Sequence, residues 1–187
     1  MELNSGTRAH VAMLIIDMMN ALEFERGLQL LAGMQAITPR IKHLRAAVHA
    51  AGGAVIYVND NAGRWQSRQE MLINRALAGP ATGCARELLP GAADYFIIKP
   101  KHSGFFATPL QALLTNLQTG TLILTGVAGN ICVLFTAADA YMRDYRLIMP
   151  CDCCASNAGE DNRYALEMAH NVLEADTRSS AQIIADL

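Results

Sequence analysis

The sequence predicts a single α/β domain in which a parallel sheet is covered by helices on both faces, and three observations carry that prediction. Five short apolar runs recur along the chain, at 11–16, 54–58, 95–98, 122–125 and 146–149. None shows the strict apolar/polar alternation of a half-exposed strand, as expected of parallel strands buried on both sides. The stretches between the runs are longer and amphipathic, which suits crossover helices. The 187 residues are enough for one sizeable core and short for two, so one domain over 1–187 is expected.

The helices have legible ends. Thr38 followed by Pro39 offers an N-cap and a first-turn proline to a helix that closes near Ala50, with Gly52 and Gly53 beyond it. Thr108 and Pro109 repeat the signal ahead of 110–117. A third helix is expected from about Asn130 toward Met142, directly after the run 122–125 and the turn 126–129, and a fourth over roughly 160–173. From Met168 onward the chain reads as a last helical turn and an edge strand. The least regular stretch, 59–91, reads as a loop-rich lid.

Composition narrows the function classes. The hydrophobic share is 52% against 17% charged residues, yet no apolar run approaches the roughly 18 residues that span a bilayer. The N-terminus MELNSGTRAH lacks the basic, apolar and small-residue parts of a secretory leader, so a cytoplasmic protein is expected. A formal charge of −2 and no basic stripe interleaved with aromatics argue against a nucleic-acid partner. The five cysteines (84, 132, 151, 153 and 154) are odd in number and unevenly spaced, which favours free thiols over a disulfide framework.

Open parallel sheets bind ligands beyond the carboxyl ends of their strands, where strand order reverses. That edge collects Asp17 after the first run, Asn59 and Asp60 after the second, Lys99 after the third, 126–132 after the fourth and 150–153 after the fifth. Cys132 falls in the first turn of its expected helix, where free N–H groups and the helix dipole favour an anion. Such a position and a nearby lysine lower a thiol pKa from about 8.5 toward roughly 3.5–7.5. Asp17 is placed to take the thiol proton and return it to a leaving amine, and the same helix start offers N–H donors to an oxyanion. Each residue also has an ordinary reading: a cysteine among Ile131, Val133 and Leu134 as a small buried hydrophobe, an aspartate after a strand as a cap, a lysine at a strand end as a solvated group.

Four segments, MLIIDMMN (13–20), IIKPKHSGFFATPL (97–110), LILTGVAGNICV (122–133) and RLIMPCDCCASN (146–157), resemble the isochorismatase-like hydrolases in order and spacing, over nearly the whole chain. The resemblance implies a three-layer αβα fold with an open six-stranded parallel sheet of Rossmann-like winding. It implies Cys132 as nucleophile, Asp17 as general acid/base and Lys99 as the positioning, charge-stabilising lysine, with Lys101 the competitor for that role. It further implies a cis peptide between Val127 and Ala128 and an oxyanion hole from the amides of Ala128 and Cys132. A homo-oligomer, dimer or tetramer, is expected on the same ground.

Departures from the family pattern shape the expected chemistry. Relatives that hydrolyse isochorismate itself lack the nucleophilic cysteine, so its presence points to a small amide cleaved through a thioester acyl-enzyme, without metal or organic cofactor. The nicotinamidase branch carries Asp-x-His and further histidines after its second strand, where this chain has Tyr57-Val58-Asn59-Asp60-Asn61-Ala62-Gly63-Arg64-Trp65; no histidine lies there, and the five in the chain are scattered. Gly129 stands where many relatives have a larger polar residue, and Ala21 where an acidic one is common. Asn61, Arg64, Trp65 and Phe105 are candidate pocket residues, Trp65 to stack on a planar substrate and Arg64 to meet a carboxylate. The indole as a loop anchor, the guanidinium as a solvated group and the Phe105 and Phe106 rings as core are the alternatives. Cys151, Cys153 and Cys154 lack the paired spacing of a zinc knuckle and read as buried strand-end thiols. The rival functions are a nicotinamidase-like or other hydrolase, a catalytically idle binding protein and a thiol redox sensor.

Overall fold

Residues 10–187 are described by the computed structural model; most of the N-terminal segment read for a leader lies outside them. Strands β1 (His10–Ile16), β2 (Ala54–Asp60), β3 (Tyr95–Lys99), β4 (Thr119–Val127), β5 (Arg146–Ile148) and β6 (Cys154–Ala155) form one sheet of order β3-β2-β1-β4-β5, with β6 also paired to β4. Every pairing is parallel. The chain runs outward from β1 through β2 to β3, then returns to the other side of β1 as β4, so strand order reverses between β1 and β4.

The apolar runs lack alternation because both faces of the sheet are covered. Met13 and Ile15 of β1 point into one core with α1 (Leu31–Ala50), α3 (Thr82–Glu87) and α7 (Ser180–Ala185), while Ala12, Leu14 and Ile16 point into a second with α4 (Leu110–Asn116), α5 (Leu134–Tyr141) and α6 (Gly159–Asn171). Each strand therefore buries successive side chains in opposite layers, which is the three-layer arrangement expected.

Several local readings are corrected. The first long helix begins at Leu31, and Pro39 lies inside it. Met34, Ile37, Ile41, Leu44 and Val48 form a buried stripe that runs through the proline, and its burial outweighs the local cost of about 3 kcal/mol for an interior proline. The stretch 59–91 carries two helices, α2 (Gln69–Ala78) and α3, rather than loop alone. The chain end forms α7, and among the described residues its only edge pairing is an isolated bridge from Asp176 to Ile148. Cys151 is exposed, whereas Cys153 and Cys154 are buried as expected.

The junction of β1 and β4 is close-packed. Gly126 pairs with Ile16, its φ is +110°, and a Cβ there would stand 2.1 Å from the Ile16 carbonyl oxygen. Only glycine fits both the conformation and the space. Gly126→Ala is expected to cost about 1–3 kcal/mol or more, read as a lower urea midpoint. Gly83 sits in α3 with nothing near its missing Cβ, and Gly83→Ala is expected to stabilise by about 0.5–1 kcal/mol, read as a higher midpoint.

Candidate active site

Three strand ends and one turn bring Asp17, Lys99, Asp60 and Cys132 together. Asp17 follows β1 in the left-handed region, φ 53°, and its own N–H bonds the Val58 carbonyl at 3.0 Å. Lys99 ends β3, in register with Asp60 at the end of β2, and is fully buried. Its ammonium lies 2.9 Å from Asp17 Oδ2, 3.6 Å from Asp60 Oδ2 and 3.4 Å from Cys132 Sγ. The Asp60 N–H holds the other Asp17 oxygen at 2.7 Å. Lys101 is exposed, so the lysine of this cluster is Lys99.

Cys132 reaches the cluster from an unusual turn. The Val127–Ala128 peptide is cis, and a π-helical turn, Gly129–Val133, precedes α5, with the Val133 N–H reaching back five residues to the Ala128 carbonyl at 3.2 Å. The expected α-helical first turn is thus widened, in the kind of local distortion that π turns introduce at functional sites. The glycine at 129 has a local reason: a Cβ there would lie 2.2 Å from Asn162 Oδ1.

The electrostatics differ from the expected thiolate. Burial, and next the Asp17 carboxylate, push the Cys132 thiol well above its usual range, and Lys99 only partly counters them. The resting sulfur is therefore a thiol. Burial alone would depress Lys99, but Asp17, Cys132 and Asp60 outweigh it and raise the ammonium above its ordinary value. Burial pushes Cys153 up to about 12 and Cys154 well above the usual thiol range, which leaves both inert.

A cavity of about 550 Å³ opens over this cluster, with Asp17, Asp60, Ala128 and Cys132 in its lining. Arg64 lines it too, as the sequence suggested, but Asn61, Trp65 and Phe105 do not. Asn61 ties its loop together: its N–H bonds Lys99 O at 3.0 Å and its Oδ1 accepts from Gly63 at 2.9 Å. Trp65 is 85% exposed to solvent. Phe105 is buried in the core beside α4 and α5, its ring under the Arg143 guanidinium at 4.7 Å. Ser103, from the same sequence block, accepts the Phe105 N–H at 3.1 Å and shapes the turn. The sequence reading missed Asn20, Glu23, Arg75, His102 and Asn157 as cavity residues. Asn20, Glu23, His102 and Asn157 follow strand ends in sequence, whereas Arg75, inside α2, carried no such signal. A metal-ligand set does not fit here: the segment after β2 offers only the Asp60 carboxylate, already engaged by Lys99 and the Ala62 N–H, and among the described residues no three His, Cys, Asp or Glu side chains converge to hold an ion.

The model of the Isochorismatase domain matches residues 11–181. The chain is 44% identical over 178 residues to the isochorismatase family protein YaaI of Bacillus subtilis, covering 95% of this chain and 98% of that one. It is 32% identical over 161 residues to the ureidoacrylate amidohydrolase RutB of Yersinia enterocolitica, covering 72% and 70%. Its fold matches the crystal structure of an isochorismatase-like hydrolase from Alkaliphilus metalliredigens with a TM-score of 0.76 at 26% identity, over 95% of this chain and 99% of that one.

The environment of the thiol can be tested directly. Because the Asp17 carboxylate raises the thiol, Asp17→Asn is expected to increase the thiolate fraction of Cys132 and so to speed its alkylation by iodoacetamide at pH 8 by about tenfold or more. Exposed Cys151 serves as the reference thiol in the same peptide-mapping experiment and is expected to react at an unchanged rate. Slower or equal alkylation of Cys132 in the variant would contradict the assigned coupling.

Proposed function

The chain belongs to the isochorismatase family and is a hydrolase of that family, and from that premise we propose that it cleaves the C–N bond of a small amide through a thioester on Cys132. The observation that carries the reading is the Lys99 ammonium held at once by Asp17 at 2.9 Å and against Cys132 Sγ at 3.4 Å, beneath an open cavity. A carboxylate, an ammonium and a sulfur in contact are the parts that acyl transfer by a thiol requires.

In the proposed reaction the substrate carbonyl oxygen lies toward the backbone amides of Ala128 and Cys132. The Cys132 proton passes to Asp17 as sulfur attacks the carbonyl carbon, and the carbonyl electron pair moves to oxygen. The tetrahedral intermediate collapses when Asp17 returns the proton to the departing nitrogen, the C–N bond breaks, and a thioester remains. Water then adds to the thioester, its proton going to Asp17 and from there to the leaving sulfur, which releases the acid and restores the thiol. Lys99 orients Asp17 and offsets the negative charge that moves between oxygen, sulfur and carboxylate. A thiol protonated at rest fits this sequence, since ionisation is coupled to attack.

The amidohydrolase among the relatives supports the amide class, and Arg64 in the cavity lining supports a substrate with an anionic substituent. The absence of histidine after β2 speaks against a nicotinamidase-like metal site. A redox sensor wants an accessible, low-pKa thiol, and Cys132 has its thiol raised. Homo-oligomerisation belongs to the same reading; Phe135 and Met142, at and just beyond the ends of α5, and Tyr164 and Met168 on α6 leave apolar surface open, and no helix among the described residues is long and apolar enough to cross a membrane.

Incubation with a panel of small amides and ureido acids is expected to give turnover, and quenched samples are expected to show an acyl adduct on Cys132 by intact mass. Cys132→Ala is expected to lose about 10³-fold or more of kcat while remaining folded. An unchanged rate in that variant would end the proposal.

A further inference from the structure

We propose that Asp60 is a further positioning residue of this site: its carboxylate is the counter-charge that keeps the buried Lys99 ammonium paired while Asp17 carries the thiol proton. The inference rests on the proposed thioester reaction and adds a group that the reaction as written does not use. At rest the cluster holds one cation, Lys99, two carboxylates, Asp17 and Asp60, and a neutral thiol. When the proton moves from Cys132 to Asp17, Asp17 becomes neutral. When sulfur bonds to carbon, the negative charge leaves sulfur for the substrate oxygen, on the oxyanion side of the cavity. At that stage neither of the nearest partners of Lys99 is charged, and its Nζ has no solvent to turn to, because the side chain is 0% exposed. A buried ammonium without a counter-ion is strongly disfavoured. Asp60, 3.6 Å away, takes no part in the proton transfer and stays anionic.

The local geometry suits that duty. Asp60 is the wall residue of the three, its side chain 42% exposed, while Lys99 is fully buried below it. One of its oxygens accepts the Ala62 N–H at 2.6 Å, which fixes the carboxylate and leaves the other facing Lys99. Its backbone N–H holds Asp17 Oδ1 at 2.7 Å. The register that places Asp60 opposite Lys99 on β2 and β3 is set by the sheet itself.

Asp60→Asn isolates the charge. It keeps the N–H to Asp17 and an oxygen for the Ala62 amide, and replaces the anionic oxygen facing Lys99 with an uncharged NH2 group. The expected result is a fall in kcat of about 10- to 100-fold with KM little changed, and partial recovery in Asp60→Glu. The alkaline limb of the kcat profile is expected to move to lower pH, since one of the anions that holds the proton on Lys99 is gone. The titratable groups facing Lys99 are Asp17 from β1, Asp60 from β2 and Cys132 from the π turn; His102, after β3, shares the cavity lining. An unchanged kcat and pH profile would overturn the proposal, as would a rise in KM alone, which marks a substrate contact instead.

A second arm needs no substrate. Asp60→Asn is expected to lower the urea midpoint when Lys99 is present and to raise it in a Lys99→Met background, where it relieves repulsion between two unbalanced carboxylates. A change of the same sign in both backgrounds would overturn the pairing. If the wild-type chain turns over no amide, the hydrolysis reading fails, and this cycle still judges Asp60. If Lys99→Met does not fold, the kinetics of Asp60→Asn and Asp60→Glu decide.

Discussion

The buried pair of Lys99 and Asp17 is the constraint around which the rest of the molecule is arranged. Removing both charges from water is expensive, and their mutual attraction returns that cost only with good geometry and further hydrogen bonds. The fold supplies both: a 2.9 Å contact, a second oxygen of Asp17 held by the Asp60 N–H, and a third neighbour in Cys132. Such a pair adds little net stability over a well-packed apolar alternative, whereas breaking it leaves an uncompensated charge. The proposed reaction explains its presence at the crevice where strand order reverses by chemistry rather than by packing.

The floor and the walls of the cavity have different origins. The floor is built from strand ends, whose positions are locked by parallel pairing from β3 to β4 and by the Thr125 hydroxyl bonded to Leu14 O at 2.9 Å. The walls come from the loop after β1, the segment after β2 and α2, and they carry most of the charged and aromatic variety: Glu23, Phe24, Arg64 and Arg75. Glu23 and Arg75 pair with each other across the loop and α2. In the proposed reading the reacting groups sit on rigid elements and the substrate-facing groups on adaptable ones, a division that lets one frame serve many substrates.

Much of this was legible in the sequence, and the exceptions have physical causes. The five apolar runs marked five strands because burial on both faces leaves an uninterrupted signal; β6, only Cys154–Ala155, is too short to leave any. Pro39 misled because a local start signal lost to a buried stripe that extends to both sides of it. Asp17, Lys99 and Cys132 could be gathered because strand carboxyl ends share an edge, and the resemblance in their flanking segments fixed which polar residues mattered. Trp65 and Phe105 could not be placed, since chain position does not say which way a ring turns. Asp60 was visible only as a strand end: its partnership with Lys99 depends on the register of β2 against β3, which no single segment encodes. The state of the Cys132 sulfur was also hidden, because helix position and a nearby lysine suggested an anion while enclosure and Asp17 decide for the protonated form.

That protonated form has a consequence for how such a protein lives among reactive small molecules. A permanently ionised sulfur in an open cleft would be spent on peroxides and stray electrophiles between encounters with its proper ligand. In the proposed reaction the sulfur gains its reactivity when a bound molecule completes the path by which its hydrogen departs. In that reaction, quiescence when empty, set by the burial of the sulfur and by one neighbouring carboxylate, makes occupancy itself the trigger.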